Sequence, residues 1–134
     1  MMHPILPLID ALHSAGKEVH LETSGTIPLQ KVFPTFTSHA YVWITVSPKF
    51  GVLPEMVKIA NEIKLLVDKD FNAGNLSDEM KYHKRVYIQP VNGEYEVNRD
   101  NLKQVMELQK RFPNWRVSLQ LHKVLSHYID ELVR

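Results

Sequence analysis

Tyr41-Val42-Trp43-Ile44-Thr45-Val46-Ser47-Pro48-Lys49 joins a near-continuous apolar run to a short polar, turn-forming cassette. A strand that is apolar on both sides is covered on both sides, as inside a parallel sheet flanked by helices. Outward from this stretch the same order recurs. Glu18–Glu22 alternates, with Val19 and Leu21 on one side and His20 and Glu22 on the other, and runs into Thr23-Ser24-Gly25-Thr26. Ile63–Val67 is a second apolar run. Val86–Ile88 precedes Gln89-Pro90-Val91-Asn92, and the alternating Val117–Leu121 precedes His122-Lys123.

Helical patterns lie between these strands. Ile5, Leu8, Ile9 and Leu12 form an i, i+3, i+4, i+7 stripe from Pro4 to Ala15, and Gly16 is placed to end it. Pro54–Ala60 opens on a proline suited to the first helical turn. Leu76–Lys84 is a third helical stretch. Asn98–Arg111 has a capping asparagine, Asp100 in the positive first turn, a stripe of Leu102, Val105, Met106 and Phe112, and Pro113 as a stop. Val124–Val133 carries Leu125, Tyr128, Ile129 and Leu132 at helical spacing. Strands and helices in alternation call for an α/β fold, a mainly parallel five-stranded sheet with right-handed crossovers. All strands then point one way, and their polar cassettes fall at the carboxyl edge, where ligands bind in such sheets.

The chain has 134 residues, and a domain of that size buries roughly two-thirds of its unfolded surface. It reads as a single domain over 1–134. Sixteen basic residues against fifteen acidic ones give a net charge of +1, so no basic face is expected for nucleic acid. No apolar run approaches the ~18 residues of a membrane span, and the start lacks the basic region of a signal peptide. Cytoplasm is the expected compartment. There is no cysteine, hence no disulfide and no thiolate ligand. The seven histidines show no ligand spacing such as H-x-x-x-H, and a histidine metal site is not expected.

Each cassette has a plain reading beside a functional one. Gly25 allows positive φ or a close ligand approach, but such strand-to-helix turns are common. Pro48 aims its neighbours and Lys49 suits an anion, yet a solvated lysine in a loop is the commoner outcome. The Gln89 carboxamide can read a heterocycle edge, whereas Asn92-Gly93 is itself a strong turn dipeptide. Glu62 and Lys64 fit either a salt-linked strand face or a polar site wall.

Five ordered motifs together carry more than any one of them. Val19-His20-Leu21-Glu22-Thr23-Ser24-Gly25-Thr26, Trp43-Ile44-Thr45-Val46-Ser47-Pro48-Lys49, Glu62-Ile63-Lys64-Leu65-Leu66-Val67, Val86-Tyr87-Ile88-Gln89-Pro90-Val91 and Trp115-Arg116-Val117-Ser118-Leu119-Gln120-Leu121-His122-Lys123 resemble the 7-carboxy-7-deazaguanine synthase family. These are radical S-adenosylmethionine (SAM) enzymes of queuosine and deazapurine biosynthesis. The resemblance runs from Pro4 to Lys123. It implies the C-terminal part of a partial βα barrel, in a lyase that contracts the ring of 6-carboxy-5,6,7,8-tetrahydropterin with loss of ammonia. It also implies SAM, a [4Fe–4S] cluster and magnesium as cofactors, and a homodimer. Carried over residue by residue, Thr23 contacts the pterin and Gly25 packs against SAM. Ser47, Pro48 and Lys49 line the SAM pocket, as do Gln89, Pro90, Val91 and Asn92. Such residues orient a cofactor that does the hard chemistry. Ser24 stands where many relatives have asparagine.

The family's cluster cysteines, magnesium-binding hydroxyl and GGEP segment have no counterpart in this sequence. The expectation is therefore a C-terminal portion without its cluster-binding half, inactive alone. Its Val19–Glu22 edge is expected to be unpaired and prone to dimerisation or poor solubility. The alternative is a cluster-free SAM- or nucleoside-binding or regulatory module.

Overall fold

The computed structural model describes residues 5–29, 42–93 and 96–125. Its elements are α1 (Leu6–Ser14), β1 (Val19–Thr23), β2 (Val42–Val46), α2 (Pro54–Ile59), β3 (Glu62–Val67), a 3-10 turn (Ala73–Asn75), α3 (Asp78–Lys81), β4 (Val86–Pro90), α4 (Arg99–Arg111) and β5 (Arg116–Val117). The strands form one sheet in the order β1-β2-β3-β4-β5. The fold is α/β, as the alternating pattern requires. By internal packing the chain divides into two compact units, 1–63 and 64–134.

In the first unit β1 and β2 pair in parallel over five positions, from Val19↔Val42 to Thr23↔Val46. β2 is the most buried strand: Val42, Ile44, Thr45 and Val46 are all inside, with Ile44 and Val46 at 0% exposure. Its pairing with β3 starts at Thr45↔Glu62 and Val46↔Ile63. Asn61 prepares that register. Its carboxamide oxygen accepts from the Ile44 N–H, and its own N–H donates to the Ile44 carbonyl, both at 2.8 Å. Of the stripe on α1 only Ile9 is buried; Leu8 is 57% and Leu12 36% exposed. Tyr41, expected to start β2, lies outside the described residues.

In the second unit Lys64–Val67 continues β3, and β4 and β5 follow. Ile63, Leu65 and Val67 are buried while Glu62, Lys64 and Leu66 are half-buried. β3 thus alternates instead of being covered equally on both faces. The expected helix over Leu76–Lys84 is confined to Asp78–Lys81, where the Ser77 hydroxyl accepts from the Met80 N–H. The Trp115 indole, 2% exposed and stacked on Phe112 at 4.1 Å, donates to the Lys81 carbonyl and fixes that helix end. α4 begins as the sequence implies, with the Asn98 carboxamide accepting from the Asn101 N–H at 2.9 Å. Its buried face is Asn101 and Val105; Met106 is 46% exposed.

β5 is shorter than the alternation over Val117–Leu121 implies, and its neighbour supplies the reason. The Ile88 carbonyl accepts from the Ser118 N–H, so alternate residues of β4 direct their main-chain groups to β5. The next such residue is Pro90, which has no N–H to give to Ser118, and the ladder ends there. Gln120 then accepts from the N–H groups of Lys123 and Val124, and residues 121–125 are helical. The expected helix beyond residue 125 lies outside the described residues.

Candidate functional site

The candidate residues sit at the carboxyl ends of their strands, and each compact unit builds its own portion. In the first unit Thr23 closes β1. Its carbonyl accepts from the Ser47 N–H at 2.7 Å, which carries the pairing with β2 one step beyond the strand. Its hydroxyl accepts from the Gly25 N–H at 3.2 Å, and the hydroxyls of Ser24 and Thr26 bond each other at 3.0 Å. This turn requires Gly25 at φ +73°, and the Gly25 carbonyl accepts from the Leu53 N–H at the start of α2. A Cβ at Gly25 would stand 3.0 Å from Val46 Cγ1 and 3.1 Å from Val52 Cγ2. That side of the glycine therefore faces packed valines. Gly25→Ala combines a left-handed backbone cost with overpacking and should destabilise by about 2–4 kcal/mol, read as a lower urea midpoint at unchanged slope.

Ser47 follows β2 and is only 5% exposed. Its hydroxyl has no hydrogen-bond partner among the described residues. A buried hydroxyl is ordinarily satisfied, and this one can offer both a donor and an acceptor. Pro48 beside it is half-buried and Lys49 is exposed, so the cassette goes from interior to solvent within three residues. Phe50, which the sequence reading passed over, is 85% exposed directly after Lys49.

In the second unit Gln89 is half-buried, Pro90 buried, Val91 exposed and Asn92 half-buried. The Gln89 carboxamide makes no hydrogen bond among the described residues, so its donor and acceptor are both uncommitted. The loop after it is held from several directions. The Val91 N–H donates to the Val67 carbonyl at 2.8 Å, and the Asn101 carboxamide donates to the Val91 carbonyl at 2.7 Å. Asn92 donates to the Gln120 carboxamide and accepts from the Asn98 N–H. The Lys123 ammonium donates to the Gly93 carbonyl at 2.6 Å. Lys123, Gln120, Asn98 and Asn101 are thus joined to this loop although they lie up to 30 residues away. The sequence pattern pointed to Asn98 as a cap and to Gln120 and His122-Lys123 at the end of the fifth strand, but not to their bonds with this loop.

The structure brings Thr23, Gly25 and Ser47 together, and separately gathers Val91 and Asn92 with Gln120 and Lys123. Glu62 is not part of the first group. It starts β3, at the opposite end from the cassettes, and accepts from the Thr45 hydroxyl at 2.8 Å. His122 is exposed. Among the described residues no three of His, Asp or Glu come together as metal ligands, and no helix is long and apolar enough to cross a membrane. His3, His39 and His127 lie outside the described residues.

No protein-family model matches the chain. Curated proteins do. The chain is 36% identical over 122 residues to the 7-carboxy-7-deazaguanine synthase of Burkholderia multivorans, covering 90% of this chain and 51% of that protein. It is 34% identical over 131 residues to the protein of the same name from Synechocystis, covering 94% and 57%. It is 30% identical over 138 aligned positions to that of Escherichia coli K12, covering 93% and 56%. The chain spans about half the length of the curated relatives it matches.

Proposed function

From its homology to 7-carboxy-7-deazaguanine synthases, we propose that this chain is the C-terminal, SAM- and substrate-facing portion of such an enzyme, acting in the cytoplasm. The observation that carries the reading is the similarity to these proteins along about nine-tenths of the chain. The reaction proposed for the whole enzyme is ring contraction of 6-carboxy-5,6,7,8-tetrahydropterin to 7-carboxy-7-deazaguanine with loss of ammonia. Bound SAM supplies the radical chemistry that starts it.

The cofactors fare differently against these residues. SAM suits the donor set. In the first unit the Ser47 hydroxyl, without a hydrogen-bond partner among the described residues, can meet a polar edge of a nucleoside beside the apolar ring of Pro48; in the second unit the Gln89 carboxamide, likewise uncommitted among the described residues, can do the same. In this reading Thr23 touches the pterin. Its hydroxyl is already placed by the Gly25 turn and keeps a proton to donate. Lys49 faces the carboxylate end of either ligand as a point charge. The Asn92–Gln120 and Lys123–Gly93 bonds keep the β4 loop in shape before any ligand arrives. The iron–sulfur cluster does not fit: the chain holds no cysteine thiolate, and no step at a cluster is assigned to it. For magnesium, no three His, Asp or Glu side chains come together among the described residues, and no step at the ion is assigned to them.

Calorimetry with SAM tests this reading. A portion of a site is expected to bind weakly or not at all, with any heat reduced further by Ser47→Ala. The missing thiolates favour one second reading, a cluster-free module that binds a nucleoside for regulation. Micromolar affinity of this chain for SAM would select that module over the enzyme portion.

A further inference from the structure

We infer that Gln120 is a ligand-contacting residue: a relay of asparagines holds its carboxamide so that the N–H groups are left for an acceptor atom of a ligand beside the β4 loop. The acceptor is a ring nitrogen or a carboxylate oxygen, chemistry that SAM and the carboxylated pterin share. The inference deepens the proposed function and rests on its reading that the carboxyl edge of this unit meets a ligand. Gln120 stands just past β5 on that edge, and no role is assigned to it above. Its backbone is fixed, because the Gln120 carbonyl accepts from the N–H groups of Lys123 at 2.9 Å and Val124 at 3.2 Å. Its side chain is half-buried.

The polarity of the relay follows from groups that have no choice of role. A main-chain N–H can only donate and a carbonyl can only accept. The Asn98 N–H meets the Asn92 carboxamide at 3.1 Å, so the Asn92 atom there is the oxygen, Oδ1. The Asn92 amide nitrogen is thereby turned to Gln120, 3.2 Å away, and Gln120 must answer with its own oxygen, Oε1. Gln120 Nε2 is left over with two N–H donors, which have no hydrogen-bond partner among the described residues. The origin of the relay is as firm. The Asn98 carboxamide oxygen accepts from the Asn101 N–H at 2.9 Å, and Asn101, 7% exposed, donates from Nδ2 to the Val91 carbonyl at 2.7 Å. Lys123 holds the same loop one residue further on, through the Gly93 carbonyl at 2.6 Å. Asn92 and Gln120 therefore take one orientation, set from α4, before any ligand is present. A free carboxamide can present either end and accepts either kind of partner. One that is locked as a donor selects an acceptor and rejects a donor, because the wrong partner leaves both polar groups unsatisfied.

Side-chain amide resonances of the nitrogen-labelled chain read the inference directly. Without ligand, Asn92→Asp puts an acceptor where the Asn92 donor stood. Gln120 should turn over to give Nε2 to the new carboxylate, and its amide signals should move. Signals that stay in place would overturn the relay and the inference with it. Millimolar SAM, adenosine and the carboxylated tetrahydropterin are then titrated separately into the unaltered chain, and at least one should shift the Gln120 amide signals. A response to adenosine identifies an acceptor on the nucleoside, a response to SAM without one to adenosine identifies the SAM carboxylate, and a response to the pterin alone identifies the substrate. Gln120→Glu keeps an oxygen for Asn92 and removes the donors. It should weaken the responding ligand roughly three- to tenfold at an unchanged urea midpoint. Gln120 signals unmoved in every titration, or an unchanged affinity of Gln120→Glu, would overturn the inference. Calorimetry judges the proposed function separately: micromolar SAM affinity replaces the enzyme reading with the nucleoside module and leaves the role of Gln120 standing, so the two failures are distinct.

Discussion

Reconstituted anaerobically with iron and sulfide, the 134-residue chain is expected to take up no cluster and to make no product from SAM and the tetrahydropterin. The loss is complete because the chemistry is categorical. Iron–sulfur clusters are held by thiolates, and no cysteine stands anywhere in the sequence. Histidine and carboxylate substitutes are not assembled either, since no three such side chains converge among the described residues. A visible charge-transfer band after desalting, with iron and sulfide in proportion to protein, would sink this expectation. Addition of a polypeptide that supplies C-x-x-x-C-x-x-C is the informative complement. Activity appearing only in the mixture would place the cluster on that polypeptide and the SAM and substrate wall on this chain. Inactivity of the mixture, with SAM bound tightly by this chain alone, would favour the nucleoside-binding module.

The second large effect concerns the first unit's core. Ile44→Ala is expected to destabilise the protein by about 2–5 kcal/mol, seen as a lower urea midpoint. Ile44 is 0% exposed at the centre of β2, and both its main-chain groups are engaged by Asn61. The cavity left there has little freedom to close. A typical domain is stable by only about 5–15 kcal/mol, so this one substitution should remove a large fraction of the total. Met106→Ala is the matched contrast. Helical periodicity counts Met106 among the apolar stripe of α4, yet it is 46% exposed, and the change is expected to stay within about 0.5 kcal/mol. Comparable losses at both positions would show that the core is wrongly drawn.

Those two residues mark where sequence reading succeeds and where it stops. Ile44 lies in a run apolar on both sides, and such a run has one stable place, between two covered faces. Met106 lies on a helix, where a stripe of four candidates is wider than the contact that the sheet offers. Which of them is buried depends on how the helix is rotated against its neighbour, and periodicity alone leaves that open. In α4 the buried positions include Asn101, a polar residue that no hydrophobic pattern would select. It is inside because its carboxamide satisfies the Val91 carbonyl. The limit on β5 has a similar origin. The alternation over Val117–Leu121 is genuine, but the strand's length was decided by Pro90 on the neighbouring strand, through an N–H it lacks.

What this sequence determines by itself is local and chemical. The alternation of strands and helices, the parallel sheet, the order of the polar cassettes and the absence of any thiolate follow from residue types and their spacing along one chain. Tertiary structure decided what depends on residues far apart. It left the Ser47 hydroxyl without a hydrogen-bond partner among the described residues, and it tied Lys123 to the Gly93 carbonyl. Spacing cannot encode those outcomes. A buried polar group or a strand edge takes its meaning from whichever distant backbone lies beside it.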